Sequence, residues 1–162
     1  MLIDIVVDTN VLAHAQSPNE TRFSDAVIFF RKLVESATKL CIDGQFAFGS
    51  GNSSLIGQEY ISTVGFGGVA YAVLQSLLQA NRIKTVSVKV PQIEKKIIES
   101  AIPRNKRDRT FVRVAYNSQE RRLVSHDWQD FTLNVRQILK KKIDVLIQEA
   151  GDAHPDILND EE

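Results

Sequence analysis

Cysteine is nearly absent, Cys41 being the only one in 162 residues. No intramolecular disulfide can form, and zinc sites built from CxxC pairs are excluded. Both facts fit a reducing, cytoplasmic setting. Excess charge is absent too: Lys plus Arg and Asp plus Glu each number 20, so the net charge is zero. A strongly basic coat for nucleic acid is thereby ruled out, while a local basic patch beside an acidic site is still allowed. No uninterrupted apolar run reaches the roughly 18 residues of a membrane-spanning helix. The opening MLIDIVVD has an Asp within its apolar run and no basic flank, so it is a poor signal peptide. There is no internal repeat.

What is present is average for a globular domain, with 43% apolar and 25% charged residues. The length suits one domain with a core that needs no staples. Apolar periodicity alternates between two and about 3.6, the mark of an α/β fold. Leu2 to Val7, Leu40 to Asp43, Val86 to Val90, Leu123 to Ser125 and Ile143 to Ile147 read as short strands. Helices are expected over Thr9 to Ala15, Ser24 to Ala37, from Glu59, over Val69 to Ala80, Ile93 to Ile102, Thr110 to Asn117 and Phe131 to Lys140. Gly44 to Gly57 reads as a glycine- and serine-rich loop, Gly65 to Gly68 as a helix interruption, and Pro103 to Arg109 as a basic loop. The domain spans 1–150, and 151–162 is an acidic tail expected to fray.

Acidic residues stand where chemistry is expected. Asp8 follows the first strand and Asp127 a late one, and ligands of open α/β sheets bind beyond the carboxyl ends of strands. Glu59 and Asp108 lie near helix starts, where the helix dipole favours negative charge. Three or four carboxylates crowded together repel unless a cation sits among them. Hard oxygen ligands of this kind suit Mg2+ or Mn2+, which would serve phosphodiester hydrolysis. Each acid also has a plainer reading: turn or cap residue for Asp8, Asp127 and Asp130, helix-start residue for Glu59, ion-pair partner for Asp108. The argument rests on the four together. Arg104, Lys106, Arg107, Arg109 and Arg113 surround Asp108 and read either as a solvated face or as contacts to a phosphate backbone. Trp128 reads as a core or interface residue, with base stacking as the other use. His126 is expected to point away from the site, and His14 and Cys41 to pack in or near the core.

Two segments, IVVDTNVL and DRTFVRVAYNSQERRLVSHDWQDF, resemble the first and last motifs of the PIN-domain nucleases, and Glu59 in IGQEYIS resembles that family's second acid. The resemblance covers roughly residues 3 to 147. It implies a three-layer α/β/α sandwich with a central, mostly parallel sheet, and metal-dependent cleavage, usually of RNA. It makes Asp8, Glu59, Asp108 and Asp127 the ligands of Mg2+ or Mn2+, with Asn10 and Ser125 as supporting polar residues and Asp130 as an additional acid. Relatives include toxins held by an antitoxin or other inhibitor protein, RNA-processing enzymes and defence nucleases, and they often form homodimers. The sequence departs from the family pattern at Phe46 to Ser54, a longer glycine- and serine-rich loop, and at Gly65-Phe66-Gly67-Gly68 inside the central helix. A catalytically silent module that binds RNA or a protein is the alternative. A receiver domain would want an acidic pair near the first strand end and a late Lys. A haloacid-dehalogenase-like phosphatase would want Asp where Asn10 stands.

Overall fold

The computed structural model describes residues 1–158. In chain order the elements are β1 (Asp4–Val7), α1 (Thr9–His14), α2 (Phe23–Glu35), β2 (Lys39–Ile42), α3 (Leu55–Val64), α4 (Val69–Gln79), β3 (Ile83–Thr85), α5 (Gln92–Ala101), α6 (Lys106–Asn117), β4 (Arg122–Val124), α7 (Leu133–Ile143), β5 (Leu146–Gln148) and α8 (Ala150–Ala153), ending in a 3-10 turn at His154–Asp156. The strands form one sheet in the order β3-β2-β1-β4-β5, parallel at every pairing. Right-handed crossovers place the helices that lead outward through β2 and β3 on one face, and those that return through β4 and β5 on the other. The contacts agree: α2 packs with α4 and α8, and α5 with α6 and α7. The result is the three-layer α/β/α sandwich.

All four residues of β1 are buried, which explains why its sequence is an unbroken apolar run around Asp4 rather than an alternation. Phe29, Phe30 and Leu33 of α2 and Phe111 and Val112 of α6 are at most 2% exposed against the two faces. Burying each such side chain stabilises the fold by roughly 1.5–3 kcal/mol. Among the described residues no helix is long and apolar enough to cross a membrane.

Several boundaries differ from the sequence reading. The helix of Glu59 starts at Leu55, not at Glu59, because the Ser54 side chain caps it by accepting from Gly57 N. The helix expected over Phe131 to Lys140 runs Leu133–Ile143. The third strand is Ile83–Thr85, not Val86 to Val90. Val86 N still donates to Ile42 O at 2.8 Å, but the carbonyls of Ser87 and Lys89 are taken by the Asn117 side chain at 2.7 and 2.8 Å. Only Val86 is buried there, while Val88 is 37% exposed, so the alternating Val residues do not line a face of the core. The last strand is Leu146–Gln148, because Ile143 belongs to α7. Asp144, at φ 55°, closes that helix in the left-handed conformation. The helix carrying Asp108 begins at Lys106, four residues earlier than expected. The Asn105 side chain caps it by accepting from Arg107 N and Asp108 N at 3.0 and 3.2 Å. The expected tail from residue 151 is folded as far as residue 158: Ala153 and Ile157 are wholly buried, and the turn packs on α2. The acids Asp160, Glu161 and Glu162 lie outside the described residues.

The glycine- and serine-rich loop, which ends at Ser54 rather than Gly57, is tightly built at its start. Gly44 has φ +57°, and a Cβ there would lie 2.8 Å from the Ser53 carbonyl oxygen. Gly44→Ala is expected to destabilise the protein by roughly 2 kcal/mol, with no change in urea m-value. An unchanged denaturation midpoint would show that the loop yields instead.

Candidate metal centre

The site lies where the strand order reverses, between β1 and its neighbour β4, at their carboxyl ends. In a doubly wound sheet this is the switch point at which flanking loops part and leave a crevice. Register decides the first contact. Val7 stands opposite Val124, so the next residues along, Asp8 and Ser125, face each other. The Ser125 hydroxyl donates to Asp8 Oδ2 at 2.7 Å, and Asp8 N to Val124 O at 2.8 Å. Asn10 does not touch the Asp8 carboxylate. Its side-chain oxygen accepts from His126 N at 3.2 Å, tying α1 to the segment that follows β4.

One carboxylate oxygen from each of Asp8, Asp108 and Asp127 lies within 4.8 Å of the other two. Asp8 arrives from a strand end and Asp108 from the first turn of α6. Asp127 arrives from the turn after β4, whose shape it stabilises by accepting from Gln129 N and Asp130 N at 2.8 and 3.1 Å. Asp130 stands beside Asp108 and is held by Asn105 Nδ2 at 3.2 Å. No Glu59 oxygen joins the trio. Glu59 is half-buried on the second turn of α3, close enough that its charge acts on Asp8.

The electrostatics follow from crowding. Burial, opposed by the Ser125 hydrogen bond and reinforced by the charges of Glu59 and Asp127, pushes the Asp8 carboxyl up to about 6. Burial, the charge of Asp8 and a hydrogen bond that protonated Asp108 donates to Asp130 push the Asp108 carboxyl up to about 8. Burial also raises Glu59, against the lowering effects of Arg107 and the Thr9 hydroxyl. Asp108 Oδ2 is buried and receives no hydrogen bond. A buried carboxylate oxygen without a donor is costly. Three carboxylates that bring hard oxygen donors within 4.8 Å of one another, one of them with such an atom, fit a divalent cation of the Mg2+ or Mn2+ kind.

Three residues that the sequence reading passed over hold this geometry. Asp43 ends β2 and, by position, resembles Asp8. Its carboxylate is instead saturated by Ser54 Oγ, Leu55 N and Ile56 N at 2.8, 3.0 and 2.9 Å, so it caps α3 and stays out of the trio. Tyr60 is fully buried and its hydroxyl donates to Val7 O, which seats α3, the helix that carries Glu59, over the end of β1. Its sequence signal is the Ile56-Tyr60-Val64 spacing of a buried helix stripe. Arg136 is only 7% exposed; its guanidinium donates to Phe131 O and Asp127 O at 2.7 and 2.9 Å, clamping the acid-bearing turn. A cation on the same helix stripe as Leu139 and Ile143 is the signal that marks it.

The histidines and Trp128 form a neighbouring network. Ala150 N donates to His126 Nε2 at 3.2 Å, so the His126 proton sits on Nδ1 and points at His14 Nδ1, 2.7 Å away. Burial, with the second imidazole adding to it, lowers His126 to about 4, and burial lowers His14 as well. Trp128 is 43% exposed rather than core; it donates to Glu149 at 2.7 Å and carries Arg136 3.6 Å over its ring. Of the five basic residues near Asp108, Lys106 and Arg107 line a hollow beside Glu59, and Arg104 is exposed on the preceding loop. Arg109 is committed to the carbonyls of Ile102 and Pro103, each at 2.6 Å, and Arg113 to Glu99 at 3.5 Å. The buried Asp4 lies at the opposite, amino-terminal end of β1, bound to Gln119 N and Glu120 N at 2.9 Å each. It makes no acidic pair with Asp8 of the sort a receiver domain uses.

No family model, no curated protein and no solved structure matches this chain. The functional reading therefore stands on the residues themselves.

Proposed function

We propose that this chain is a divalent-metal-dependent nuclease of the PIN type that hydrolyses RNA phosphodiester bonds in the cytoplasm. The observation that carries the reading is the convergence of Asp8, Asp108 and Asp127 at the switch point, with one buried Asp108 oxygen receiving no hydrogen bond. These three residues would hold Mg2+ or Mn2+. When bound, the ion offsets charge on the phosphate and lowers the pKa of water.

The protein's own groups divide the remaining work. Ser125 orients the Asp8 carboxylate, Arg136 holds the turn of Asp127, and Asn105 fixes both the α6 start and Asp130. We assign Glu59 to accepting a proton from the attacking water. It lies outside the trio, so its oxygens are not committed to the ion, and it is close enough that its charge acts on Asp8. Lys106 and Arg107 would bind the phosphates flanking the cut.

The reading predicts RNA cleavage by purified protein with Mn2+, abolished by EDTA and restored by added Mn2+. Metal-independent or absent cleavage would overturn it. Neutralising Lys106 and Arg107 together is expected to flatten the salt dependence of RNA binding by about 1.4 in log–log slope, the single-strand value for two phosphate contacts. An unchanged slope would take both residues out of the interface.

A further inference from the structure

The two glycine-rich segments that depart from the PIN pattern come together in space. Beside Glu59 lies a hollow of about 420 Å³ between α3 and α6, with Leu55 and Ile56 as its apolar wall and Lys106 and Arg107 as its cationic one. Next to it is a second hollow of about 380 Å³, lined by Phe48 and Asn52 of the long loop and by Phe66 of the turn between α3 and α4. Gln58 and Ser62, one helical turn apart on α3, border both hollows, so the two adjoin on either side of that ridge. The order along the surface is acidic trio, Glu59, cationic hollow, aromatic hollow.

The aromatic end is built rather than incidental. Tyr71 packs against Phe48 with ring centroids 4.7 Å apart and against Phe66 at 5.4 Å, so one partly buried ring supports two others. Phe46 closes on Phe48 at 5.1 Å. Phe66 is nonetheless 69% exposed, a large ring held in water on a turn that Gly65 makes possible at φ +67°.

From this juxtaposition we infer that the groove recognises a single-stranded segment of the nucleic acid, its phosphates at Lys106 and Arg107 and a base stacked against Phe66. The inference rests on the nuclease reading for its ligand class and adds a base-stacking subsite on the turn between α3 and α4. Base faces are free to stack on aromatic rings only in single strands, since a duplex keeps them inside. Cations followed by aromatic rings are what a strand with alternating phosphates and bases would match.

The test uses the full chain, without divalent metal, and labelled oligouridine of about ten nucleotides against a duplex of the same length. The wild type is expected to bind the single strand at least about tenfold more tightly. Phe66→Ala is expected to lose about tenfold on the single strand and little on the duplex, the usual consequence of removing one stacking partner. Phe66 is exposed, so its removal leaves the core intact. Phe66→Trp should restore binding, and its emission, after subtracting that of Trp128, should be quenched as the strand binds. Equal affinity for both RNA forms, or unchanged binding by Phe66→Ala, overturns the inference. So does an alanine variant that keeps RNA affinity but loses a co-purifying protein, which would assign the rings to a protein partner. Binding is read without turnover, so the two readings fail separately. Single-strand selectivity without any cleavage overturns the nuclease reading and supports the groove. Cleavage indifferent to strandedness and to Phe66→Ala does the reverse.

Discussion

Asp8→Asn is expected to lower Mn2+-dependent RNA cleavage about a thousandfold while raising the melting temperature of the metal-free protein near pH 8 by about 3 °C. The two effects share one cause. Asp8 is 5% exposed, and its charge lies among those of Asp127, Glu59 and Asp108. Without a cation that crowding works against the folded state, so removing a charge relieves it by about 1 kcal/mol. Asn keeps the shape and still accepts from Ser125. With a cation, the same carboxylate supplies several kcal/mol of the electrostatics that catalysis uses, and about 4 kcal/mol is a factor of a thousand in rate. Cleavage assays and melts in EDTA check both halves. Equal cleavage rates would remove Asp8 from the reaction. A variant that melts lower than the wild type would show that the charges are not in conflict.

Mn2+ affinity is expected to tighten about a hundredfold between about pH 6 and pH 8. Asp108 carries a proton up to about pH 8, and a cation must displace it. Over that window one proton leaves for each ion bound, which is a factor of about ten per pH unit. Below about pH 6 Asp8 is protonated as well, and the dependence steepens. The sign for stability runs the opposite way. Both carboxyls are raised above their ordinary value of 3.8, so the folded metal-free chain holds protons that the unfolded chain has released. Its stability is therefore greatest at the acid end of the window and falls as pH rises through about 6 and then about 8. Calorimetric titration in two buffers of different ionisation enthalpy would read the proton released. A pH-independent dissociation constant would mean that the ion binds elsewhere.

The positions of Asp8 and Asp127 were legible because a strand end announces itself: the β-branched run stops, a polar cluster follows, and the carboxyl ends of adjacent parallel strands share one edge. Asp108 was legible as a helix-start acid, though its helix begins at Lys106 because Asn105 caps it. Asp43 shows the limit of that reasoning. It ends a strand just as Asp8 does, and only the placement of Ser54 and the first amides of α3 reveals that its oxygens are already satisfied. Arg109 likewise reads as a free cation in the sequence and is spent on the end of α5.

By itself, then, the chain's periodicity determined the α/β class and most of the helices, because burial on one face or two leaves a local, repeating trace at spacings of 2 and 3.6 residues. Tertiary structure alone decided the strand order, the register that sets Ser125 against Asp8, the exclusion of Glu59 from the trio and the meeting of the Phe48 loop with the Phe66 turn. These depend on contacts between residues far apart in the chain, about which local spacing carries no information. Which carboxylates are satisfied by hydrogen bonds, as that of Asp43 is, and which carry an unpartnered oxygen, as that of Asp108 does, is decided there as well.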